Sequence, residues 1–143
     1  MKFALFTKLD SNENNDHIFS VFKSLDKHQL DYDVDSQSFD LISKLDNYNG
    51  DFNFNKVEKL SNEYDFVISI GGDGTILRSA NEIGELSIPI IGLNKGRLGF
   101  LANSPIEIID SIIDKIKNSN YRISERTIIQ VEFEGKTKNA LNE

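Results

Sequence analysis

The sequence has no cysteine, so disulfides and thiolate metal sites are excluded, and a reducing, cytoplasmic setting is the expectation. It has two histidines, His17 and His28, both on one expected helix. Their spacing suits no paired ligand site, and they read as solvated surface residues. Positive charge is scarce: 16 Lys and Arg stand against 23 Asp and Glu, giving a net charge of −7 at pH 7. No basic stripe is left to neutralise phosphates along a duplex, which argues against nucleic acid as a partner. An anionic membrane surface is disfavoured for the same reason. Long apolar runs are also lacking, since none approaches the ~20 residues of a membrane-spanning helix. The opening residues 1–6 are too short for a signal h-region and read as a first strand.

What is present is 143 residues, 38% hydrophobic and 27% charged, enough for a soluble domain with a proper core. The stretch that organises them is residues 66–77. Phe66, Val67, Ile68, Ser69 and Ile70 form an apolar run that reads as a fully buried strand. Gly71 and Gly72 end it, Asp73 and Gly74 are expected to make the turn, and Thr75 to begin a helix reaching Ile83. Such a junction delivers free backbone N–H groups and the positive end of a helix dipole to one spot, which favours phosphates. Glycine suits the junction because a Cβ would block positive φ and close ligand approach. Asp73 does not fit a phosphate cradle, because its carboxylate repels the anion. It therefore reads as a cation ligand or as the acceptor of a proton from an attacking hydroxyl. The bland alternative is a tight turn with Asp73 or Thr75 as helix cap.

The rest of the chain is consistent with that junction. Residues 2–7 read as a buried strand. Residues 12–30 read as a helix, with Ile18, Val21, Phe22 and Leu25 on one face. A short strand over 31–34 and a short helix over 38–45 follow. Val57 and Leu60 sit at helical spacing within 53–64, and residues 31–64 form the least regular part. Residues 88–93 are a second apolar run without alternation. Buried strands separated by helices predict an α/β fold with an open, mostly parallel sheet. Ligands in such sheets sit beyond the carboxyl ends of the strands, where residues 71–75 and 94–100 both fall. Ser104, Pro105 and Glu107 predict a capped helix start, with Ile109, Ile112, Ile113 and Ile116 as its stripe and an end near 118–120. Alternation over 123–134, with Gly135 and Lys136 at a turn, predicts an antiparallel hairpin that opens a second unit. Two strands are not stable alone, and the chain is expected to be the N-terminal part of something longer: an α/β nucleotide-binding domain over 1–120 and the start of an incomplete all-β domain over 121–143.

Four segments in this order resemble the NAD kinase family: Gly71-Gly72-Asp73-Gly74-Thr75, the stretch Asn94-Lys95-Gly96-Arg97-Leu98-Gly99-Phe100-Leu101, the pair Glu125-Arg126, and Ala140-Leu141-Asn142-Glu143. The first is shared with diacylglycerol and sphingosine-type kinases, while the second and fourth are more specific. The resemblance implies ATP-dependent phosphorylation of the adenosine-ribose 2′-hydroxyl of NAD to NADP, with a divalent metal, Mg expected, on the phosphates. It implies that Asp73 is the proton acceptor, with Gly71, Gly72, Gly74 and Thr75 around the nucleotide. Arg78 is implied as a ligand contact, Asn142 and Glu143 as the pair that hydrogen-bonds NAD, and Phe100 as a residue of the adenosine pocket. For Phe100, core packing after Leu98 is the competing reading. Asn94 and Gly96 are expected to shape their loop, and Lys95 and Arg97 to be solvated. The family's later Gly-Ser-Thr-Ala-Tyr-type loop and acidic residue are missing from these residues, so little activity is expected of the chain alone. Homo-oligomers are usual in the family when full length. A lipid kinase sharing the glycine cradle and a non-catalytic nucleotide-binding module are the alternatives. Against the first stand residues 94–101 and the absence of a basic or apolar surface helix. Against the second stands Asp73, for which a mere binder has no use.

Overall fold

The computed structural model describes residues 1–8, 16–45, 48–96 and 99–141, with the backbone alone at 136–139. Six strands form one sheet in the order β3-β2-β1-β4-β5-β6. They are β1 (Lys2–Thr7), β2 (Asp31–Asp35), β3 (Lys56–Val57), β4 (Phe66–Ile70), β5 (Ile90–Asn94) and β6 (Ser104–Pro105). Every pairing in this sheet is parallel. Helices α1 (Asp16–Lys27), α2 (Ser36–Ile42), α3 (Asp73–Ile83) and α4 (Ile109–Lys117) lie among them. A separate antiparallel pair, β7 (Ile128–Phe133) and β8 (Lys136–Leu141), follows. Among the described residues no helix is long and apolar enough to cross a membrane.

The central strands are buried on both faces, as their unbroken apolar runs require. On β1, Phe3 and Leu5 join the larger core with Phe22, Ile18 and Ile113, while Ala4 and Phe6 join a second core with Leu60 and Ile83. On β4, Phe66, Ile68 and Ile70 face the first core and Val67 the second. From β1 the chain winds outwards through β2 to β3, and from β4 it winds the other way to β6. The strand order thus reverses between β1 and β4, the place where a parallel sheet opens a ligand crevice.

Two expectations are corrected, those for residues 104–107 and for His28. The segment 53–64 is irregular as expected, and the helical spacing of Val57 and Leu60 does not become a helix: the segment holds β3 between bends. The cause is the buried Asp33 of β2, which takes the backbone N–H of Asn55 at 3.2 Å, the Tyr64 hydroxyl at 2.9 Å and the Lys2 ammonium at 2.8 Å. Burial pushes the Asp33 carboxyl up, but these partners outweigh it and hold it ionised, with a lowered pKa. Ser104 and Pro105 form β6 against Leu93 and Asn94, and a 3-10 turn at Ile106–Ile108 precedes α4, so no side chain caps that helix. The β6 pairing commits the backbone of Ser104 and Pro105 to the sheet edge instead of a helix start. His28 is not solvated. Its Nε2 lies 3.1 Å from Asp110 Oδ1 on α4, and its side chain is mostly covered.

Asp110 also accepts bonds from Lys27 at 2.8 Å and from Ser24, so this carboxylate ties α1 to α4. The Lys27 ammonium foremost, then the Ser24 hydroxyl, lowers its pKa from the ordinary 3.8 to about 2. A folded-state pKa below the unfolded one stabilises the fold fully above about pH 4, and that contribution is lost as pH falls towards 2. Denaturant titrations across this window are expected to show a steeper acid loss for the wild type than for Asp110→Asn.

Candidate active site

The junction after β4 is built by one glycine with a conformational demand. Gly71 has φ +150°, and a Cβ there would lie 2.4 Å from Thr75 Oγ1. Its N–H still reaches Leu93 O at 2.8 Å, so the strand keeps its ladder to the last residue. Gly72 then stands as the extended residue before α3, and Asp73 is the first residue of the helix rather than part of the turn. Neither Asp73 nor Thr75 caps α3 through its side chain, so the bland reading of Asp73 is not the one the structure adopts. Gly72 and Gly74 are exposed, and among the described residues a Cβ on either would meet nothing within 4 Å. Thr75 is buried, and its Oγ1 has no hydrogen-bond partner among the described residues, which leaves a donor and acceptor at the same spot.

The Asp73 carboxylate turns to the loop that follows β5. Its Oδ1 accepts the N–H groups of Leu101 at 3.0 Å and Ala102 at 2.9 Å, and its Oδ2 accepts that of Phe100 at 3.1 Å. These bonds, the Ala102 N–H first, lower its pKa against an opposing contribution from burial. The positive end of α3 acts in the same direction. Gly99 lies directly against this carboxylate: a Cβ there would stand 2.2 Å from Asp73 Oδ1. Asn94, buried at the end of β5, holds the loop from behind. Its Nδ2 donates to Ala102 O at 3.1 Å and its Oδ1 accepts from Gly96 N at 3.3 Å, the loop-shaping part expected of both residues. Phe100 contributes its backbone to Asp73, but its side chain is 87% exposed, so the core-packing reading is overturned. Lys95 is half-buried, and Arg97 and Leu98 lie outside the described residues.

Arg78 lies on the other flank of α3. It meets the ends of β1 and β2 rather than the loop that Asp73 holds. Nη2 donates to Thr7 O at 2.9 Å, and Nη1 and Nη2 reach the two oxygens of Asp35 at 3.2 and 3.4 Å. The structure therefore brings Gly71, Gly72, Asp73, Gly74, Thr75 and the Phe100 backbone to one place and Arg78 to the adjacent side. Asn142 and Glu143 lie outside the described residues. Sequence reasoning missed Gly99, Asp35 and the amides of Leu101 and Ala102. Gly99 had a signal, a glycine two residues before Leu101, but backbone donors leave none. Among the described residues no three carboxylates or histidines gather to hold a metal ion, and the Asp73 oxygens are committed to amides. These residues do not fit a protein-built magnesium cage.

The ATP-NAD kinase N-terminal domain family matches residues 12–121. An NAD kinase of Bacteroides fragilis is 37% identical over 134 residues, which span 92% of this chain and 45% of that protein. An NAD kinase of Cytophaga hutchinsonii is 46% identical over 78 residues, 54% of this chain and 27% of its own length. Among solved structures, yeast NADH kinase complexed with NADH aligns with a TM-score of 0.69 at 16% identity, over 98% of this chain and 45% of that one. That likeness shows a shared fold. The chain spans less than half the length of these relatives.

Proposed function

The chain belongs to the NAD kinase family, and from that premise we propose that the complete protein phosphorylates the 2′-hydroxyl of the adenosine ribose of NAD with ATP, giving NADP. The observation that carries this reading is an ionised carboxylate, Asp73, set at the glycine start of α3. Phosphoryl transfer needs positioning and charge stabilisation more than covalent help from the protein. The ribose oxygen bonds to the γ-phosphorus, the bond from that phosphorus to the leaving ADP oxygen breaks, and the hydroxyl proton passes to Asp73. Gly72 and Gly74, both exposed, put no side chain between the nucleotide and the helix dipole. A carboxylate that takes up a proton weakens its bonds to Phe100, Leu101 and Ala102, so the loop at 99–102 feels the proton transfer.

A divalent cation would come to the site with the phosphates of ATP rather than on protein ligands, and would supply charge neutralisation there. The reading extends to an α/β nucleotide-binding domain over 1–120, an all-β unit beginning at 121, a cytoplasmic location and assembly into homo-oligomers. Exposed apolar residues of β7, among them Ile129 and Phe133, support a covering partner surface for that second unit. The same reading assigns Asn142 and Glu143 to the dinucleotide.

The test offers NAD and a diacylglycerol side by side, with ATP and magnesium, to the gene product extended past Glu143. NADP is the expected product, and the 143-residue chain is expected to make little of it alone. Phosphatidate instead of NADP would show that the glycine cradle had carried the resemblance by itself and would overturn the reading.

A further inference from the structure

We propose that Asp35 is a positioning residue of the nucleotide site, acting through Arg78. The inference rests on the reading above that Arg78 contacts the nucleotide. Arg78 is the sole basic residue of α3, so its placement decides where the helix presents a cation.

Three elements converge on its guanidinium. Asp35, the last residue of β2, is buried and meets it as a fork, Nη1 to Oδ1 at 3.2 Å and Nη2 to Oδ2 at 3.4 Å. A two-point carboxylate contact fixes the plane of a guanidinium as well as its position. The end of β1 adds Thr7 O at 2.9 Å, and the start of α2 adds Gln37 and the Ser38 hydroxyl at 3.2 Å. Ser38 is fully buried and is itself fixed, accepting the Thr7 N–H at 2.8 Å and donating to Thr7 O at 3.1 Å. From the apolar side, the Phe6 ring lies 5.3 Å from the guanidinium carbon.

An arginine held this way no longer loses its side-chain rotamer entropy at the moment of binding. Its side chain keeps 27% exposure, so it is oriented without being sealed off. The adjoining cavity of about 140 Å³ is lined by Asp35, Glu58 and Glu82 beside Arg78 and Lys59. The exposed part of Arg78 borders this cavity, so a nucleotide that meets Arg78 does so from a direction the Asp35 fork has fixed.

A clamp that only held α3 against the sheet would show itself in stability, whereas a positioning residue shows itself in substrate affinity. Asp35→Asn keeps the shape and removes the charge. In the gene product it is expected to raise the KM for NAD or for ATP about tenfold, with a much smaller change in kcat. Asp35→Glu, which restores the charge, is expected to recover part of that loss. In an Arg78→Ala background the same Asp35→Asn change is expected to add nothing. Unchanged KM for both substrates, whatever happens to the melting temperature, would overturn the inference. So would a full Asp35→Asn effect persisting without Arg78. Dissociation constants for NAD and ATP, measured by calorimetry on wild type and Asp35→Asn, separate this from the activity reading. A wild type that binds nucleotide but forms no NADP defeats the activity alone, and equal constants in the two proteins defeat the positioning role alone.

Discussion

Gly99→Ala is expected to lower the kcat/KM of the gene product by about a hundredfold, the cost of moving a reacting group by about 1 Å. The added methyl would sit 2.2 Å from Asp73 Oδ1, 2.8 Å from its carboxyl carbon and 3.0 Å from Oδ2. Those atoms are not the end of a free side chain. Three backbone amides hold them at 2.9–3.1 Å, so either the carboxylate or the loop must move. Overpacking of this kind also costs about 1–3 kcal/mol of stability, which a denaturation midpoint would register. Gly96→Ala makes the natural control. It lies in the same loop, and among the described residues its Cβ would meet nothing within 4 Å, so its activity is expected to stay within about twofold of wild type.

Asp73→Asn is expected to remove about 10²- to 10⁴-fold from kcat, the usual contribution of a positioned general base. The fold should survive it. The amide oxygen of the substituted side chain can take the place of Oδ1, which accepts two of the three N–H groups, while the third belongs to the exposed Phe100 and can turn to water. Loss of that single charge-assisted bond costs about 1–3 kcal/mol. Asp73→Ala, by contrast, strands all three donors and is expected to unsettle the loop as well as the chemistry. Comparing the two by kinetics and by melting separates proton transfer from loop support. The sign of the pH dependence follows from the same bonds. The base works when ionised, and its pKa is lowered from 3.8. The acid limb of kcat/KM is therefore expected below about pH 4 rather than near neutrality, where many general bases are poised.

The parts of this molecule that were legible in the sequence are those written in side-chain pattern. Phe66–Ile70 is apolar but for one serine and is buried throughout. Ile18, Val21, Phe22 and Leu25 repeat at helical spacing and lie on the buried face of α1. The glycine junction announced itself because a strand, a run of glycines and a helix pattern met within a few residues. What stayed hidden was tertiary. Val57 and Leu60 kept helical spacing, but Asp33 pins Asn55 and Tyr64 from a neighbouring strand, and the segment becomes β3 between bends. Pro105 looked like a first helical residue, but it takes an edge position in the sheet opposite Asn94. Asp73 was legible as a carboxylate out of place among glycines. Its three partners were not, since a backbone N–H is the same in every residue and only folding decides where it points.

The first measurement to make is the titration of the Asp73 carboxyl itself, followed by carbon-13 NMR in the 143-residue chain. Three amide donors and a helix start predict a pKa below 3.8, with the amide signals of Phe100, Leu101 and Ala102 shifting in the same titration. A value at or above 3.8, with those amides unmoved, would mean that the carboxylate is not held on the loop. The site built around it would then have to be abandoned.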